Sequence, residues 1–229
     1  SSTTYVTGMA VVKTCETLRK KICERGAEYL GCSPDDVEFD GEKVVNLKTK
    51  EEITRKEIGN KVMCSSNAPL SATEAFSSPV SPPPFMVGIA EVEIDKETGV
   101  VEPIDYAAVV DCGTVVNPNL ARVQTEGGIA QGIGMALYED IIYSEKGKNY
   151  SNSFMQYKIP SRLDVGEIRV EFESSYEPTG PFGAKSIGEI VINTPSPAIS
   201  NAVQNAVGVI VRELPITAEK VYKGMAEKE

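Results

Sequence analysis

The sequence predicts an α+β fold in which antiparallel sheets carry packed helices. Three patterns point there. Residues 8–30 hold an apolar stripe at helical spacing. Residues 85–110 alternate apolar and polar side chains in two runs, and residues 197–209 return to helical spacing.

The elements follow in order. Residues 1–7, SSTTYVT, are small, polar and rich in hydroxyls. Val11, Val12, Cys15, Leu18, Ile22 and Leu30 then fall near one helical stripe with Lys and Glu between them, and Gly31 stops that helix. Asp40-Gly41 between two valine-rich runs reads as a hairpin whose tight turn draws its positive φ angles from Asp-Gly. Thr54 and Glu57 fit the capping box of a short helix ending near Met63. Residues 64–84 are rich in Ser and Pro, and Pro82-Pro83-Pro84 cannot join a ladder or a helix interior. That stretch reads as a loop or linker, either functional or merely connecting, and it divides the chain into parts 1–75 and 76–229.

Residues 85–95 and 100–110 make two strands joined at Glu97-Thr98-Gly99, hence an antiparallel pair. Asn117-Pro118 opens a helix carrying Gly127, Gly128, Gly132 and Gly134. Each glycine costs up to ~1 kcal/mol relative to Ala, so close approach of another element or of a ligand is expected there. Tyr143 and Tyr150 flank a Gly-Lys hairpin turn, Ile168, Val170 and Phe172 alternate as a strand, and residues 197–209 form a last amphipathic helix.

Composition narrows the function. Hydrophobic residues make up 41% of the 229 and charged residues 24%, as in ordinary soluble globular proteins. A net charge of −10 repels phosphate backbones, which argues against nucleic acid as a partner. No apolar run approaches the ~20 residues of a membrane helix. His is absent, which removes Ser-His-Asp and Cys-His catalysis and most zinc sites. The five cysteines, 15, 23, 32, 64 and 112, include no C-x-x-C pair, and no basic, apolar export signal is present. Reduced, mostly buried thiols in a cytoplasmic protein are expected. The chain opens on Ser1 rather than Met, as a processed or excised piece would.

Three features can carry chemistry. In GPFGAKSIGE, residues 180–189, a carboxylate sits in a Gly-rich loop that would present it to a ligand with little obstruction. Buried beside apolar groups, Glu189 would serve as a general base; otherwise it is a plain turn carboxylate. Gln124 and Gln131 are seven apart on one helical face, where two amides can bond the edge of a planar heterocycle or simply remain solvated. The hydroxyls and free N–H groups of Ser1-Ser2-Thr3-Thr4 make either an anion site or a plain helix cap.

Together the motifs SSTTYVTG, AEVEIDKETG, DCGTVVNP, QTEGGIAQGIGMALYED, YKIP, GAKSIGE and ELPITAEKV resemble, in order and over nearly the whole chain, the C-terminal part of the molybdenum-binding subunit of the xanthine dehydrogenase family, the molybdenum hydroxylases. The resemblance implies the α+β architecture of their molybdopterin-binding region. It also implies hydroxylation of an electron-poor carbon of a purine-like heterocycle or aldehyde, with water as the oxygen source. Glu189 stands where the family has its glutamate base, and Gln124, Ser1, Ser2 and Thr3 stand at cofactor-binding positions, with no protein ligand to the metal on this chain. Val123 stands where relatives commonly carry Gly. The implied cofactor is molybdenum-molybdopterin, in its plain or cytidine dinucleotide form; 2Fe-2S and FAD belong to partner subunits or domains. A full family subunit is roughly three times as long, so the expected partners are the remaining N-terminal half and the iron–sulfur and flavin subunits, with a homodimer also compatible. The rival reading is a non-catalytic scaffold or interaction module that keeps the fold without molybdenum.

Overall fold

The computed structural model describes residues 2–65 and 69–227 and divides into two compact units. One comprises residues 5–80, the other residues 1–4 and 81–229.

In the smaller unit, α1 (Gly8–Leu30) follows a π-helical turn at Thr3–Thr7 and ends at Gly31, whose φ of 68° gives a left-handed cap. It packs on a three-stranded antiparallel sheet of β1 (Val37–Phe39), β2 (Lys43–Asn46) and β3 (Glu52–Thr54). The β1–β2 turn differs from the tight two-residue turn expected. Only Gly41 takes a positive φ, 107°, while Asp40 Oδ1 accepts from the N–H groups of Glu42 and Lys43 at 2.8 and 2.9 Å. The aspartate side chain thus closes a longer loop. Thr54 and Glu57 form the expected capping box of α2 (Arg55–Met63). Val44, Ile53, Ile58 and Val62 make a small core. Described residues between 64 and 84 form no helix or strand.

The larger unit is built on β4 (Phe85–Ile94), β5 (Val101–Asp111) and β6 (Glu167–Phe172), in that order. β4 and β5 are antiparallel as expected, but β6 runs parallel to β5, so this sheet is mixed. The reason is the long connection over 112–166, which contains α3 (Pro118–Leu137) and returns the chain to the starting end of β5. Asn117 caps α3 by accepting from the Leu120 N–H at 3.1 Å. Then come α4 (Ile190–Asn193), α5 (Pro195–Val207) and α6 (Ala218–Ala226). Helix α6 escaped the sequence reading, although Thr217 caps it. Tyr106 and Ala108 of β5, Ile129 and Ile133 of α3, Ile199 and Val203 of α5 and Val221 of α6 share one core.

The glycines of α3 divide by purpose. A Cβ on Gly128 would lie 2.1 Å from Val191 Cγ2, and one on Gly132 would lie 2.6 Å from Pro195 Cγ. Those two let α3 approach α4 and α5. Gly127 has nothing within 4 Å of a built Cβ. All five cysteines are free thiols, and only Cys112 is buried, so the expectation of mostly buried thiols is not met. No described helix is long and apolar enough to cross a membrane.

Candidate functional site

The Gly-rich segment 180–189 crosses the end of β5 inside the larger unit. Gly113, just past that strand, has φ 70°, and a Cβ there would lie 2.3 Å from the Gly183 carbonyl oxygen. Only glycine allows this approach. It lets the Thr114 N–H donate to the Gly183 carbonyl at 2.8 Å and the Lys185 N–H to the Cys112 carbonyl at 2.7 Å. Phe182 takes a positive φ of 53° with its ring exposed.

Beneath the segment lies an ion pair. Lys185 Nζ donates to Asp111 Oδ2 at 2.8 Å, and both side chains are largely withdrawn from solvent, at 10% and 19% exposure. The other oxygen, Asp111 Oδ1, accepts from the Ser175 hydroxyl at 2.5 Å and the Gly113 N–H at 2.9 Å. Burial pushes the Asp111 pKa up, but the bonds from Lys185, Ser175 and Gly113 together outweigh it and hold the carboxyl below the usual carboxylate range. Burial, aided by the Asp111 charge, pushes the neighbouring Cys112 thiol up.

Two hollows flank the segment, and every residue lining them belongs to the larger unit. The first, about 420 Å³, is bordered by Thr3 and Thr4, by the apolar Val115, Val116, Leu120 and Ala121, and by residues 185–188. The second, about 370 Å³, is bordered by Gln124, Gly127, Gly128 and Gln131 of α3 and by Glu189. Gln124 and Gly188 border both. They are joined, since Gln124 Nε2 donates to the Gly188 carbonyl at 3.2 Å.

The structure therefore places Thr3, Gln124 and Glu189 around one pair of adjoining hollows. Glu189 is exposed rather than buried. Gln124 and Gln131, expected on one helical face, both border the second hollow. Ser2 is exposed and does not border either hollow; Ser1 lies outside the described residues. Thr4, of the hydroxyl-rich opening run, borders the first hollow beside Thr3, whereas no motif assigned a role to Asp111, Ser175 or the bond from Lys185 to Asp111. Asp111 and Lys185 both stand in the motifs already singled out, DCGTVVNP with its preceding strand and GAKSIGE. Their pairing spans 74 residues, which no local spacing reveals.

Comparison with known proteins adds to this geometry. Residues 1–166 match the family model described as a molybdopterin cofactor-binding domain. The chain is 35% identical to the probable hypoxanthine oxidase XdhD of Escherichia coli (strain K12), over 98% of this chain and 24% of that protein. It is 30% identical to the 6-hydroxypseudooxynicotine dehydrogenase complex subunit gamma of Paenarthrobacter nicotinovorans, over 97% of this chain and 29% of that one. Among solved structures it superposes on quinoline 2-oxidoreductase from Pseudomonas putida 86 with a TM-score of 0.85 and 26% identity, covering 98% of this chain and 30% of that chain. The chain thus spans under a third of the length of these relatives.

Proposed function

The chain belongs to the molybdopterin cofactor-binding domain family of the molybdenum hydroxylases, and from that membership we propose that it supplies the general base and part of the cofactor cradle of a hydroxylase acting on a purine-like heterocycle or an aldehyde. One observation carries the reading: Glu189 of the loop and Gln124 of the glycine-bearing helix border the same hollow.

The residues present fit the cofactor. Gly127 leaves open the space that a Cβ would fill, next to two amides able to donate and accept. Among the described residues no group of three or more Cys, Asp or Glu side chains is placed to hold a metal ion, so the metal would arrive within its own organic ligand. The molybdenum cofactor, when bound, supplies two-electron redox chemistry and activates water. Gln124 and Thr3, which border the hollows, would hold it. Glu189, bordering the hollow, would accept a proton from the activated water. The cofactor is of the plain or cytidine dinucleotide form. Iron–sulfur and flavin modules on partner subunits or domains would drain the electrons, and the rest of the molybdenum subunit would complete the substrate pocket.

The test is co-expression with the remaining portion of the subunit and its redox partners. Glu189→Gln should retain molybdenum by metal analysis and lose turnover by about 10²–10⁴-fold, the range of general acid–base catalysis. Full activity in that variant refutes the base assignment. Absence of molybdenum from the wild-type assembly favours a scaffold.

A further inference from the structure

Glu189 reaches the hollow at the end of a short irregular stretch. Residues 185–187 belong to no helix or strand, and residues 188–189 form a turn entering α4. A segment without a ladder of its own takes its position from its two ends. The far end is held by the Gln124 bond to the Gly188 carbonyl and by the Ile192 N–H donating to the Glu189 carbonyl at 3.2 Å. The near end is Lys185, whose main chain is tied to Cys112 at 2.7 Å and whose ammonium is tied to Asp111 at 2.8 Å.

That ammonium is an unusual choice for an anchor. Lys185 is the only charged residue that is buried among the described residues. A buried ion pair needs its remaining hydrogen-bonding positions satisfied, and Asp111 is held by Ser175 at 2.5 Å and by the Gly113 N–H at 2.9 Å. The Lys185 ammonium also lies 5.4 Å from the centre of the Phe85 ring, a face that a cation favours. The carboxylate stands on the last residue of β5, the central strand of the sheet, so the anchor transmits the rigidity of the core to the loop.

We infer that Lys185 is a positioning residue: its ion pair with Asp111 fixes the loop so that Glu189 is presented at the hollow shared with Gln124. The inference rests on the proposed role of Glu189 but is measured without it. In the full purified chain, hydrogen exchange reads the amides of 186–190 against those of β5 and α3. Lys185→Met should speed the loop amides by at least about tenfold while the core amides keep their rates, the signature of local opening. Lys185→Arg, which keeps the charge, should restore protection to within about threefold of wild type. Loop amides that stay at wild-type rates in Lys185→Met, or a Lys185→Arg variant as open as Lys185→Met, overturn the inference.

Should Lys185→Met fail to fold, Ser175→Ala loosens Asp111 without unpairing a charge. It should accelerate the same amides by about threefold and no others. Unchanged loop amides in that variant also overturn it. In the assembled enzyme, Lys185→Met should keep its molybdenum and lose kcat with little change in KM, because a misplaced base weakens the transition state rather than substrate binding. Equal effects on both parameters would mark a general structural role and defeat the inference. A wild-type assembly that never loads molybdenum would remove the proposed function while leaving the exchange result intact.

Discussion

Gly127 and Gly128 are neighbours on α3 with opposite duties. A methyl group on Gly128 would press on Val191, a fully buried side chain with no room to move. Gly128→Ala should therefore cost about 1–3 kcal/mol, read by urea unfolding. Gly127 opens toward the hollow, so in the bare chain Gly127→Ala gains only helix propensity, about 0.5–1 kcal/mol of added stability. The same methyl should impair cofactor loading in the assembled enzyme. A variant that is stabilised and loads molybdenum normally would show that this floor of the hollow is not used. Asp111 makes a pH prediction. Its carboxyl lies below the usual range in the folded chain, so between the folded value and the unfolded one, near 3.9, the unfolded chain binds more protons. The stabilisation is present above that window and lost as pH falls through it. The stability gap between wild type and Asp111→Asn, measured by denaturant unfolding, should thus be widest above pH ~5 and shrink toward pH ~2.

Strand β4 is an edge strand whose outward residues Phe85, Val87 and Ile89 are exposed by 59%, 66% and 68%. A ten-residue edge of that character invites pairing with other chains. Replacing Val87 and Ile89 by Lys should raise the concentration at which the isolated chain aggregates, by light scattering, while the thermal midpoint stays within a few degrees. At this scale much was legible beforehand. The stripe of α1 and its Gly31 stop gave the observed ends, because a long periodic segment averages out local noise. The Thr54–Glu57 box and the Asn117-Pro118 start were equally direct, since each is a contact within one turn. What escaped was short or non-local. Helix α6 has nine residues, too few for its period to stand out. The parallel direction of β6 depends on a connection of more than fifty residues, and the Lys185–Asp111 pair on a contact across 74. For the site, the loop and the glutamine helix were visible as motifs, but the bond between Gln124 and Gly188 that ties them is tertiary.

At the scale of the whole chain, the proposed function needs more than these residues offer. The described residues provide an exposed carboxylate, two amides on a glycine-lined face and an apolar hollow of about 420 Å³. The proton transfer proposed for Glu189 would be efficient only with water excluded and the reacting groups held in place. An exposed base meets neither condition, and the chain covers only 24–29% of two curated relatives that it matches over nearly all of its own length. The isolated chain, supplied with molybdenum cofactor, should therefore show no turnover of hypoxanthine or of an aldehyde, followed by product formation or by reduction of an artificial electron acceptor. Adding the remaining portion of the subunit should bring activity back, with Glu189→Gln as the inactive control. Turnover by the chain alone would mean that these two hollows close around cofactor and substrate without help, and the division of labour argued from its share of the relatives' length would be wrong.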